Sequence, residues 1–441
     1  MKNLIHQLKS RALVRNSIVS GFLKPLSMLL SYAYVPIVLH YLGEEMYGAW
    51  TTILSVLSWI SYFDIGIGNG LRNKLTESIA LKETDRSKKL VSSAYLMLAA
   101  VVLAAGTVMI TVSAFLNWNR ILGLTTEYKQ IKLVVLLSML FVCVNFVLSL
   151  CRVVMFSLQK AAMAGFMDIC SQLISLLGVI VISSFTTGNL LLVGIVSGGS
   201  TAVSCLLFSA VLYSRHKELA PSVRMADRTV GKEVSMLGVQ FFVIQICGLV
   251  LFSTDNLIIS NLYGAENVTP YSIVNKLFTA VITVHAAVLT PFWSALTKAK
   301  AEKQSTQIKK ITRFSLVLML PFMCGAVFLA LIFRPLTTLW LHEELECSDL
   351  MIWLGAVYCV IYIWANTFGI LSNGMNIVKG PMIVAVIQAT VNIPLSLYLA
   401  VNAGMQSEGI LLGTIISMMI SAASVPFFFA KKTRKEFSVS K

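Results

Sequence analysis

Charge is what this sequence has least of. Only 12% of its 441 residues are Asp, Glu, Lys or Arg, about half of what a soluble chain carries, while 57% are hydrophobic and the mean hydropathy is +0.80. A chain this apolar has too little polar surface to cover its core, so lipid must be its solvent. Paired cysteines are lacking too. None of the eight forms a C-x-x-C; seven fall in apolar segments, where Cys acts as a small hydrophobe, and Cys347 stands alone in a polar loop. That pattern excludes a disulfide framework and implies no metal site. There is no G-x-x-x-x-G-K-[ST], no H-E-x-x-H and no nucleophile elbow, so the familiar nucleotide, zinc-protease and hydrolase chemistries find no support. No catalytic residue and no cofactor is expected.

What is present is a series of long apolar runs. A helix needs roughly 20 residues to cross a hydrocarbon core, and about twelve runs qualify, near 17–40, 47–69, 91–116, 131–157, 163–186, 189–213, 237–262, 269–292, 312–334, 350–373, 381–401 and 408–430. Backbone groups in lipid must be paired internally, and the alternating short strands of an outer-membrane barrel are absent, so these runs read as helices. The expected fold is all-α: a polytopic integral membrane protein of about 12 transmembrane helices. The apolar run behind the basic start MKNLIHQLKSRALVRN is longer than a leader's core and lacks a small-x-small cleavage site, so it reads as a retained first helix.

The net charge of +15 points first to nucleic acid, but its distribution points to a membrane. Counting from an inside N-terminus, inner segments hold nearly all cations: Lys2 to Arg15, Arg72 to Lys89, Arg215 to Lys232, Lys298 to Arg313 and Lys431 to Lys441. The opposite loops, such as YLGEEM (41–46) and LHEELECSD (341–349), are acidic or neutral, and only Arg120, Lys129, Lys132 and Arg334 are cations on that side. This positive-inside sorting predicts both termini on the cytoplasmic side. It accounts for most of the charge with no nucleic-acid partner.

A cytoplasmic linker, 214–236, divides the chain into a first six-helix bundle (1–213) and a second (237–430), followed by a basic tail (431–441). At an offset of about 221 residues YLGEEMYGAW (41–50) lies over LYGAENVTPY (262–271), and LQKAAM (158–163) matches IVKGPM (377–382) at nearly the same offset. Such echoes fit two parallel pseudo-repeat bundles, a known transporter plan.

Ionisable residues at membrane depth are the candidates for function, since each costs something like 2.5–3.5 kcal/mol to insert unless it faces a cavity or a partner. Lys24 shares a face of the first helix with Ser20, Ser27, Ser31 and Tyr34. It is either a cavity cation or a lysine snorkelling to the interface. Asp64 lies at a similar depth on the second run and is a candidate partner for Lys24. Asp255 and Lys276 stand where they could meet across the seventh and eighth helices. Both pairs read equally well as structural contacts that fix helix register. Polar stripes run through Asn145, Ser149 and Arg152; Asp168, Gln172 and Ser175; Tyr362, Asn366 and Asn373; and Gln388, Asn392 and Ser396. Any one stripe serves as helix glue, yet several together suggest a hydrophilic cavity. Lys24, Arg72, Arg152 and Lys276 favour an anion there, while Asp64, Asp168 and Asp255 keep an organic cation open.

YLGEEMYGAW followed by SWISYFDIGIGNGLRNKL (58–75) resembles the first hairpin of polysaccharide-repeat-unit flippases, the O-antigen (Wzx-type) family of the MOP superfamily. The glycines of this stretch miss the G-x-G-x-x-G spacing, so no nucleotide loop is read there. The resemblance implies a two-lobed, MATE-like fold in a bacterial inner membrane. It also implies movement of an undecaprenyl-diphosphate-linked oligosaccharide from the cytoplasmic to the periplasmic face, with membrane lipids around it and a polysaccharide polymerase and chain-length regulator as partners. The competing readings are a MATE-like drug/cation antiporter and a membrane-embedded polysaccharide polymerase or ligase. The first calls for acidic residues central to the first and seventh helices, and the second for a large outward loop; Lys24 and the short outward loops count against them.

Overall fold

Backbone pairing in lipid leaves little choice but helix, and the chain takes it almost throughout. A computed structural model describes residues 2–60, 66–118, 130–263, 268–341 and 347–439; among these there is no strand. The first half holds α1 (Lys2–Leu42), α2 (Glu44–Ile60), α3 (Ile67–Ala80), α4 (Thr84–Phe115), α5 (Ile131–Leu148), α6 (Leu150–Ser157), α7 (Ala161–Phe185) and α8 (Leu190–Arg215). Two short 3-10 turns, Lys217–Leu219 and Val223–Met225, lead to α9 (Arg228–Tyr263). The second half continues with α10 (Val268–Ala301), α11 (Ser305–Leu331), α12 (Phe333–Leu341), α13 (Asp349–Gly374), α14 (Lys379–Leu397), a π turn (Tyr398–Asn402) and α15 (Gln406–Val439). Eleven described helical segments are long and apolar enough to span a membrane, and the chain is a multi-pass membrane protein. The run expected at 47–69 passes through residues 61–65, which lie outside the described residues. Helix α2 is described from Glu44 to Ile60, and α3 follows Gly66, whose φ of 67° is left-handed, a conformation that favours glycine.

The chain forms two compact units, Val14–Val239 and Gln240–Lys441, the latter together with Met1–Leu13. In the first, α5 packs against α4 and α8, α7 against α8, and α3 against α4 and α6. In the second, α13 packs against α10, α11 and α15, and α14 lies along α15. Large apolar side chains such as Phe22, Leu103 and Phe185 stand exposed on the outside, where lipid rather than water meets them.

The segment expected as a linker is fastened to the first unit. The Ser92 hydroxyl accepts from the Ser222 amide at 3.0 Å, and the Ser93 hydroxyl accepts from the Asp227 amide at 2.9 Å. Asp227 caps α9 by accepting from the Thr229 and Val230 amides; these bonds, with Lys89 3.6 Å away, hold its carboxyl below the usual range. Glu233 pairs with Arg86 at 3.0 Å and Lys74 at 3.6 Å. Gly70 makes this seating possible, because a Cβ there would lie 2.5 Å from the Val234 carbonyl oxygen. The first turns of α9, up to Val239, therefore belong with the first bundle.

Candidate functional site

The first unit encloses a cavity of about 330 Å³ between α1, α6, α7 and α8. The helix of the fourth apolar run breaks at Ser149, whose carbonyl accepts from the Arg152 amide in a tight i to i+3 turn. That turn begins α6 and delivers Arg152 to the cavity, where its Nη2 donates to Asp168 Oδ1 of α7 at 2.5 Å. Lys24 of α1 lines the same space, and its ammonium acts on Asp168 through charge attraction. Two cations thus face one carboxylate. Around them Gln172 donates to the Ser27 hydroxyl at 2.8 Å, and Ser171 and Thr201 share a hydrogen bond of 3.0 Å. Arg152 Nε and Gln172 Oε1 are buried with no protein partner among the described residues. An arginine with an unused N–H presents a fork suited to the oxygens of a phosphate or carboxylate.

Of the seven candidates read from sequence, the structure brings three together here: Lys24, Arg152 and Asp168. Arg72 is elsewhere, 6% exposed, with its guanidinium 4.7 Å from the Phe156 ring centre at the α3–α6 contact. Asp64 lies outside the described residues. Asp255 does not meet Lys276. Its carboxylate Oδ2 accepts instead from the Tyr271 hydroxyl at 2.5 Å and the Thr414 hydroxyl at 3.3 Å, beside Asn392 and Ser417. Tyr271 and Lys276 are five residues apart, about 140° around a helix of 3.6 residues per turn. The face that gives Tyr271 to Asp255 therefore turns Lys276 outward, where it is exposed. Thr201 and Ser204 on α8 were not singled out from sequence; their i to i+3 spacing in GGSTAVS was the available signal. Asn145 proves to be helix glue, donating to the Gly198 carbonyl at 2.9 Å. Among the described residues no three His, Cys, Asp or Glu side chains cluster as a metal site would require.

The second unit has a cavity of about 250 Å³ bounded by α9, α13, α14 and α15. Its lining repeats that of the first at a constant offset of 217 residues: Arg152 falls on Gly369, Asp168 on Ala385, Ser171 on Gln388, Gln172 on Ala389, Thr201 on Met418 and Ser204 on Ser421. Lys24 and Ser27 fall on Ile244 and Cys247 at 220. The two linings thus correspond at offsets of 217 and 220, beside the sequence reading of about 221. The ion pair and the lysine of the first cavity have no charged counterpart in the second.

The sequence profile of a family described as polysaccharide biosynthesis protein matches residues 13–293, and that of the MatE family matches 241–398. A protein of Salmonella typhi named as an O-antigen transporter is 22% identical over 422 residues, covering 91% of this chain and 92% of that protein. One of Yersinia pseudotuberculosis named as an O-antigen export protein is 21% identical, with the same coverage. Among solved structures, a mutant of a Vibrio cholerae MATE transporter superposes with a TM-score of 0.80 at 12% identity, covering 96% of this chain and 97% of that one. A MOP superfamily transporter from Pyrococcus furiosus gives 0.78 at 13%, covering 96% of both. The fold is therefore that of the MATE transporters.

Proposed function

The chain belongs to the polysaccharide biosynthesis protein family, and on that premise we propose that it is a flippase. It carries an undecaprenyl-diphosphate-linked oligosaccharide, an O-antigen or related repeat unit, from the cytoplasmic to the periplasmic leaflet of a bacterial inner membrane. The observation that carries this reading is the cavity in which Lys24 and Arg152 oppose a single Asp168 amid Ser, Thr and Gln side chains. The incoming phosphate oxygens replace Asp168 as acceptors for Arg152, and Lys24 supplies the second cation. Release restores the Arg152–Asp168 pair, so the carboxylate keeps the binding reversible. Transport then follows alternating access, with both termini cytoplasmic, no covalent bond made or broken, and a polymerase and chain-length regulator acting downstream.

Deletion in a strain without a redundant flippase should leave lipid-linked repeat units on the cytoplasmic leaflet and strip polysaccharide from the surface. Unchanged surface polysaccharide would sink this reading. The second reading, a drug/cation antiporter, is favoured by the MatE match over 241–398 and the buried Asp255. It predicts altered resistance to lipophilic cations in the same deletion strain.

A further inference from the structure

Removing the charges from the second cavity leaves a lining that is polar but neutral. Gln388 is only 7% exposed, lines the cavity, and has no protein hydrogen-bond partner among the described residues. Asn366 Nδ2, on the opposing helix α13, is likewise buried without a partner. Buried amides are nearly always satisfied, and an orphan among them calls for an explanation. Ser421 adds a hydroxyl whose own proton goes to the Met418 carbonyl, leaving its oxygen free to accept. Apolar walls complete the site: the Tyr362 ring on α13, with Ala385 and Ala389 on α14. At Gly369, a Cβ would meet nothing within 4 Å, so the place occupied by Arg152 in the first cavity is open space in the second.

We infer that this cavity binds an uncharged saccharide ring. The Gln388 and Asn366 amides hydrogen-bond its hydroxyls, and the Tyr362 ring and alanine floor cover its C–H face. Its volume of about 250 Å³ lies below the roughly 300–1,000 Å³ of drug-sized sites, which suits one sugar ring. An anion would find no cation among the described lining residues and a cation no carboxylate. A lipid tail offers the amides no hydrogen-bond partner. The identity of the ligand as the sugar part of a lipid-linked oligosaccharide rests on the function proposed above.

The test uses the full chain in nanodiscs and two probes: the undecaprenyl-diphosphate oligosaccharide extracted from the source strain, and undecaprenyl diphosphate bearing no sugar. The wild type should bind the sugar-bearing lipid about tenfold more tightly, the margin expected from one or two net hydrogen bonds. Gly369→Leu adds a Cβ that meets nothing within 4 Å and removes a helix-weakening glycine; Gln388→Leu deletes the amide at similar size. Each should bring the sugar-bearing lipid to the Kd of the sugar-free one, while leaving the latter within about twofold. Arg152→Gln should weaken both lipids alike. Free oligosaccharide, cleaved from the lipid, should compete only for the sugar-dependent margin. A wild type with no margin, or variants that keep it, overturns the saccharide site while the flippase stands. Failure of the wild type to bind either lipid removes the proposed function itself, and this site with it.

Discussion

The two cavities occupy equivalent places in the two units and differ in what they ask of a ligand. In the first, Arg152 and Asp168 pair at 2.5 Å, Lys24 stands by, and most hydroxyls and amides are engaged with one another. In the second, Gly369, Ala385 and Ile244 take those places, Gln388 lines the wall, and the buried Nδ2 of Asn366 is left without a protein partner. The two linings correspond position for position, and three side chains set the difference in their chemistry. The charged cavity attracts through long-range fields that tolerate varied geometry. The neutral one discriminates through short hydrogen bonds that do not.

The most severe way to test this correspondence is to move the charges. Gly369→Arg alone should lower the stability of the inserted protein by something like 2.5–3.5 kcal/mol, the cost of a lone charge at membrane depth. Adding Ala385→Asp should recover up to about 1 kcal/mol of that loss in thermal melts, the upper range for one partly exposed ion pair, if the two positions correspond to Arg152 and Asp168. No recovery would show that the offset of 217 is not a true register. Next in size, Arg152→Ala should reduce flipping in reconstituted vesicles at least about tenfold, the loss of one or more charge-assisted hydrogen bonds, whereas Arg152→Lys should keep part of it. Equal loss with Lys would assign the role to the planar fork rather than the charge. Asp168→Asn keeps a hydrogen-bond acceptor and removes the competing charge. It should tighten diphosphate binding while slowing turnover about fivefold, the upper range for one partly exposed ion pair; looser binding would contradict the exchange of partners proposed here.

The fold was legible because hydropathy and loop charge are properties of whole segments, and lipid permits helix alone. Site residues were legible only as helix faces. A slip of three or four residues returns a side chain to the same face, so the stripes fall on helices that line the two cavities while the offset between the linings varies from 217 to 220. Arg72 shows a different limit. Sequence offers it as a cavity cation, whereas α3 sets its guanidinium against the Phe156 ring. Lys276 was assigned to Asp255 by depth, which sequence reports, while rotation about the helix axis gave that contact to Tyr271.

Lys24 is the residue on which sequence left two readings, cavity cation or snorkelling lysine, and the comparison between cavities sharpens the choice. It is half-buried, lines the charged cavity, and shares that space with Arg152 and Asp168. Its counterpart in the neutral cavity is Ile244, as expected if the lysine serves the anion rather than the membrane interface. A snorkelling lysine contributes through its stem and its reach to the headgroups, functions that arginine and lysine share and that do not depend on the lipid substrate. Lys24→Ala should therefore reduce flipping about threefold, the smaller effect expected of a second, more flexible cation, and Lys24→Arg should remain near wild type. Insertion and thermal stability should be unchanged in both. The decisive measurement is the ionic-strength dependence of diphosphate-lipid binding. Lys24→Ala should flatten it, since one of the two attracting charges is gone, and full activity with an unaltered salt dependence would return Lys24 to the interface.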